Sequence, residues 1–256
     1  MKKKNNKKSK KITPLKEKLN QIYNTVNLKT TCKGNVECCK TACPQMNYCE
    51  FSQLLTEIWD KETKTSKLNM ICKSIEYFFI NEFDKWNKDI FYKPCMLLND
   101  DGKCAYYTNR PLSCRMYGLW PEKTYDARVD KFEKMYEGMI KREELPLNKQ
   151  CPYVKRIDDS IPLTDEIIDG LYKSLDDLDQ NIASFSDLQV ERRENYRTFH
   201  DWLLLKVFGE EWIAGLTQFM IGAKKELIQE QIKAIQDAVV QSFSKNMPRL
   251  KSTTSA

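Results

Sequence analysis

All ten cysteines of this 256-residue chain fall between Cys32 and Cys151, and none follows in residues 152–256. Cys32, Cys38, Cys39 and Cys43 form one cluster; Cys95, Cys104, Cys114 and Cys151 form a second, more open set. Zinc and iron–sulfur clusters both take sets of four soft thiolates, gathered from short clips and distant segments. The spacing therefore predicts a metal centre, with these eight thiols as candidate ligands and an iron–sulfur cluster or Zn2+ as the bound group. Two four-cysteine sites and one site with spare thiols both fit the count. Gly34 and Pro44 would let the backbone turn tightly beside the first cluster.

Size does not demand a metal, because 41% of the residues are hydrophobic, ample for a core. Only 8 glycines and 9 prolines accompany 30% charged residues and long 3.6-residue periodicities. The expected fold class is mainly α: helices around an irregular cysteine-rich core with at most a short hairpin, plus a helical carboxyl-terminal region.

The formal charge of +6 is concentrated at one end. Residues 1–18 carry nine lysines against Glu17 alone, leaving 33 basic and 35 acidic residues in the remainder. Residues 1–14 read as a disordered basic tail. Such an arm would reach an unidentified protein or another anionic partner through charge; the near-neutral body argues against specific nucleic-acid recognition. The lysine-rich start lacks the apolar stretch of a secretory signal, and no run of 18 apolar residues spans a bilayer. The expected location is the cytoplasm, where reduced thiols favour metal over disulfide chemistry; in an oxidising compartment five disulfides would compete.

Four regions follow: the tail 1–14, a cysteine-cluster domain 15–155, a helical region 160–246 packed on it, and a frayed end 247–256. Leu15, Leu19, Ile22, Tyr23 and Val26 recur at helical spacing. Ser52 is a candidate cap for a short helix bearing Leu55, Ile58 and Trp59. Leu68, Ile71, Cys72, Ile75, Phe78 and Phe79 form a stripe starting near Thr65 or Ser66, with Cys72 a small buried hydrophobe rather than a ligand. Asn99-Asp100-Asp101-Gly102 can fold Cys95–Leu98 back on Lys103–Tyr106, bringing two thiols onto neighbouring arms. Phe132 to Ile140 read as a further helix. Thr164 caps a helix through Ile182, Ser186 or Asp187 starts one that stops near Gly209, and a long last helix runs from about Glu210 to Phe243.

In Arg110-Pro111-Leu112-Ser113-Cys114-Arg115 a cysteine lies between two guanidinium groups, which should favour its thiolate. These segments resemble the CxxCxxCC or YkgJ-like family of zinc- or iron-chelating cysteine-cluster proteins. The first motif is Cys32-Lys33-Gly34-Asn35-Val36-Glu37-Cys38-Cys39, with Asn35 where that family has its second cysteine. Pro94-Cys95 to Gly102-Lys103-Cys104, Tyr107, Arg110 to Arg115 and Cys151-Pro152 supply the rest. The resemblance covers roughly residues 32–151 and implies metal binding at Cys32, Cys38, Cys39, Cys95, Cys104, Cys114 and Cys151, with Cys43 replacing the thiol that Asn35 cannot supply. Cys49, beside Tyr48 and Phe51, reads instead as the start of a packed helix. A related pattern in flagellin lysine N-methylases implies an iron–sulfur-dependent enzyme, although no glycine-rich cofactor turn is present.

Other chemistry has little support. His200 is the sole histidine and lies among Phe199, Trp202 and Leu203, so it reads as packed rather than as the base of a nucleophile pair. Asp158-Asp159, Asp176-Asp177 and Glu210-Glu211 read as solvated helix ends or loops, and Arg192, Arg193 and Arg197 with Tyr196 as a solvated face. The functional expectation is a cysteine-ligated metal protein with a redox or protein-modifying role, or an interaction module stapled by structural zinc. No catalytic residue can be named.

Overall fold

The computed structural model describes residues 14–24, 37–41, 43–87, 94–135, 163–182, 196–221 and 223–246. It is mainly helical, as expected, with one two-stranded ribbon among these residues. The helices are α1 (Pro14–Asn24), α2 (Glu37–Thr41), α3 (Tyr48–Lys61), α4 (Lys64–Asn87), α5 (Leu112–Arg115), α6 (Glu122–Met135), α7 (Asp165–Gln180), α8 (Phe199–Phe208), α9 (Glu210–Met220) and α10 (Lys225–Lys245). The strands are β1 (Gln45–Asn47) and β2 (Tyr196–Thr198).

The ribbon organises the core. β1 and β2 run antiparallel, pairing Gln45 with Thr198, Met46 with Arg197 and Asn47 with Tyr196. Each strand passes directly into a helix, β1 into α3 and β2 into α8. Tyr48, Phe51, Phe199 and Trp202, all at most 1% exposed, pack as an aromatic nest where these helices begin. The Trp202 indole N–H donates to the Met46 carbonyl at 2.9 Å, so this large apolar ring keeps its one polar atom paired. Arg197 lies over the Trp202 ring and 3.9 Å from Glu210, a packed role rather than a solvated face.

The N-terminus of α3 is capped from a distance. Its first amides, Tyr48 N and Cys49 N, donate to the Asp179 carboxylate of α7 at 3.1 and 2.6 Å, and Asn47 Nδ2 reaches the same group at 3.2 Å. A carboxylate there satisfies orphan donors and complements the positive end of the helix. The helix thus starts at Tyr48, and Ser52 is buried inside it rather than capping it. Asp176 also accepts from Asn47 Nδ2, at 2.7 Å, so the acidic pair Asp176-Asp177 is only partly a solvated one.

α4 buries Ile71, Ile75, Phe78 and Phe79 and packs against α8, α9 and α10. Cys72 lies on the α10 side, where its carbonyl accepts from Gln236 Nε2 at 2.8 Å. Thr164 caps α7, its hydroxyl accepting from Ile167 N at 3.3 Å. α8 ends at Gly209, whose φ of 86° is strained for any residue with a Cβ. The expected long last helix is two: α9 stops at Met220, and α10 restarts at Lys225. The amides of Ile221 and Ala223 close tight turns onto Gln218 and Met220. The helix expected from Ser186 or Asp187 to Gly209 does not run through: Tyr196–Thr198 are strand, and α8 starts afresh at Phe199, capped by the Thr198 hydroxyl, which accepts from Asp201 N at 3.3 Å. Val26, Ser186 and Asp187 themselves, Arg192, Arg193 and the stretch from Tyr136 to Ile140 lie outside the described residues, as do the basic tail up to Thr13 and the end from Met247.

Candidate metal centre

Three short segments bring cysteines together. α2 presents Cys38 and Cys39, whose sulfurs lie 3.8 Å apart. Cys95 is laid beside them because its amide donates to the Cys39 carbonyl at 2.5 Å, while the next amide, Met96 N, donates to Cys43 Sγ at 3.4 Å. The chain then turns at Asn99–Gly102 as the sequence suggests. Gly102 takes φ 69°, Asn99 N bonds Lys103 O at 2.8 Å, and Leu98 bridges Cys104. That bridge is all the sheet this hairpin makes; the ribbon lies elsewhere. The chain next passes through a 3-10 turn, Tyr107–Asn109, and Pro111 leads into α5, which carries Cys114.

Cys38, Cys39, Cys95, Cys104 and Cys114 line one cleft together with Leu54, Leu97, Tyr106 and Arg110. Cys43 is not in the lining; it stands behind Cys95, to which its sulfur is hydrogen-bonded. Cys32 and Cys151 lie outside the described residues. None of the eight described cysteines forms a disulfide.

The thiols do not ionise alike. The Cys38 thiol is drawn down to about 7, chiefly by the hydrogen bond from Cys39, with Arg110 contributing. Cys39 is pushed up as the donor in that pair, and burial adds to the effect. In the Cys43–Cys95 pair, Cys43 is lowered and Cys95 raised by their mutual hydrogen bond. Cys104 and Cys114 are raised first by burial. The expectation that two flanking guanidiniums would favour the Cys114 thiolate is therefore not met: burial, with Cys95 and Cys38 nearby, raises the thiol overall. Arg110 lowers it somewhat, and Arg115 also interacts with that sulfur by charge while its Nε donates to the Arg110 carbonyl at 2.8 Å and its Nη2 to the Thr108 carbonyl at 3.0 Å. Desolvation outweighs the cations.

The donor set is soft and clustered, as a thiophilic metal requires. Two thiolates on one tetrahedral ion with bonds of about 2.3 Å would stand about 3.8 Å apart, the separation of Cys38 and Cys39. Among the described residues, however, no group of three or more His, Cys, Asp or Glu side chains is arranged as it stands to hold an ion.

Two other residues fall where the sequence suggests. Cys49 is fully buried, with its sulfur against the Leu175 carbonyl. His200 is fully buried with its ring edge-on to Tyr77, and burial lowers its pKa, so it is neutral and structural. The sequence reading misses Glu50, a carboxylate 4% exposed beneath α5. Its one signal is its place three residues after Asn47, the spacing of a capping box. Compared with family models, curated proteins and solved structures, the chain has no match.

Proposed function

We propose that this chain is a cysteine-ligated metal protein whose centre is assembled from Cys38, Cys39, Cys95, Cys104 and Cys114, with Cys32 and Cys151 as further ligand candidates. The supporting observation is the lining of a single cleft by five thiols from three separate segments, with Arg110 beside them to offset the charge of a thiolate-bound centre. An iron–sulfur cluster is the group we assign, as the resemblance to the YkgJ-like cysteine-cluster proteins also implies. When bound it would supply one-electron chemistry or a Lewis-acidic iron. The chain's own residues would hold it, balance its charge with Arg110 and shield it with Leu54 and Leu97. The 3.8 Å spacing of Cys38 and Cys39 favours a second version, with both on one zinc ion in a structural role.

Purification without oxygen, followed by iron, zinc and acid-labile sulfide analysis and an absorption spectrum, separates the versions. Brown protein with iron and sulfide in matching amounts supports the cluster, and colourless protein with stoichiometric zinc supports the second version. Protein that retains neither metal, and takes up neither on reconstitution, overturns both.

A further inference from the structure

The wall of the cleft that carries Cys114 is too short to hold itself in place. α5 has four residues, fewer than a helix needs for stability of its own, and yet its Leu112 is fully buried. Its anchors lie on elements that contribute no thiol to the cleft. Glu50 Oε1 of α3 accepts from Leu112 N, the first amide of α5, at 2.6 Å, and its Oε2 accepts from Asn47 N at 3.1 Å. The Tyr23 hydroxyl of α1 donates to the same Oε1 at 2.6 Å. At the other end of α5, the Arg115 guanidinium sits 4.2 Å over the Tyr23 ring. Further along α1, Lys16 holds Asn109 of the cleft lining at 3.2 Å and Glu57 of α3 at 2.5 Å. α1 thus lies as a strap across the segment 107–115, with both ends of α5 fastened to Tyr23 and its carboxylate partner.

We infer that Glu50 and Tyr23 are positioning residues for the metal centre, fixing the Cys114 thiol in the cleft through Leu112 N and Arg115. The inference deepens the metal reading and, for its effect on affinity, rests on it. Buried partners that orient ligands in this way are worth about 10–100-fold in metal affinity. A carboxylate is suited to the place because it accepts from three converging donors at once, whereas an amide turns an N–H toward one of them.

The test uses the full chain with Glu50→Gln and Tyr23→Phe, the latter keeping the ring beneath Arg115. Zn2+ affinity is measured by chelator competition, and the iodoacetamide alkylation rate of Cys114 in the metal-free chain is read by peptide mass spectrometry, with Cys72 on α4 as internal reference. The expected result is about tenfold weaker Zn2+ binding in Glu50→Gln, a smaller loss in Tyr23→Phe, and alkylation of Cys114 accelerated relative to Cys72 in both, at unchanged helicity. If Glu50→Gln loses helicity, Tyr23→Phe decides alone. A Cys114 rate unchanged relative to Cys72 overturns the inference. Faster Cys114 alkylation in a chain whose parent takes up neither Zn2+ nor, on reconstitution, iron and sulfide overturns the metal reading and leaves the positioning role supported.

Discussion

Glu50 should impose an unusual pH dependence on folding. Burial raises its carboxyl to about 7 from an ordinary 4.5, and the hydrogen bonds from Tyr23, Leu112 and Asn47 offset the effect only in part. Between those values the folded chain holds a proton that the unfolded chain releases. The contribution of this group to stability is therefore complete below about pH 4.5 and is lost as pH rises through 7. A shift of this size amounts to about 3 kcal/mol in full, and about 2 kcal/mol of it falls between pH 5 and pH 7.5. In urea, with m of about 2 kcal/mol/M, the midpoint at pH 7.5 should lie about 1 M below that at pH 5 from Glu50 alone. The comparison to make is the parent chain against Glu50→Gln, because other titrations then cancel. The Cys38 thiol, lowered to about 7, acts with the opposite sign, and mainly above the upper pH. Equal slopes in the two proteins would refute the assignment of the raised carboxyl to Glu50.

Asp179, raised by burial to about 6, caps α3 through two backbone amides and the Asn47 amide. Asp179→Ala strands these donors and should cost roughly 3 kcal/mol in urea unfolding; a loss under 1 kcal/mol would show that water replaces the cap. At Gly209 a methyl would meet nothing within 4 Å, so Gly209→Ala tests backbone strain alone. It should lower stability by about 1 kcal/mol, measured as a drop in melting temperature. Cys43 stands behind the cleft, so Cys43→Ser should keep the parent's metal content while Cys95→Ser lowers it, by elemental analysis of purified protein. The reverse ranking would move the centre.

The first helix, the Thr164 cap, the stop at Gly209 and the Asn99–Gly102 turn were all legible because each is written in neighbouring residues. The approach of Cys95 to Cys104 was legible for the same reason. The ribbon was not, since three-residue strands at positions 45–47 and 196–198 are too short to show a period-2 pattern. Nor were the anchors. Glu50 and Asp179 are acids on helices, which sequence reads as solvent-facing; only packing reveals that each has backbone amides to accept from. The continuous apolar pattern from Glu210 to Phe243 hid the break after Met220. For the candidate centre, the clustering of Cys38, Cys39, Cys95, Cys104 and Cys114 followed the spacing. The place of Cys43 behind Cys95 did not, because nothing in the sequence says which side of a turn a sulfur takes.

The pairing of β1 with β2, described above as the organiser of the core, also sets an order of events during synthesis. A chain leaving the ribosome from its amino end exposes Cys38 through Cys114 well before Tyr196 exists to pair with Asn47 or Trp202 to cover Met46. The ribbon and the aromatic nest therefore wait until some eighty further residues have emerged, about the distance from Cys114 to Tyr196, whereas the anchors of α5 at Tyr23 and Glu50 are already present. Closure of the nest would thus follow, rather than precede, the gathering of the segments that line the cleft.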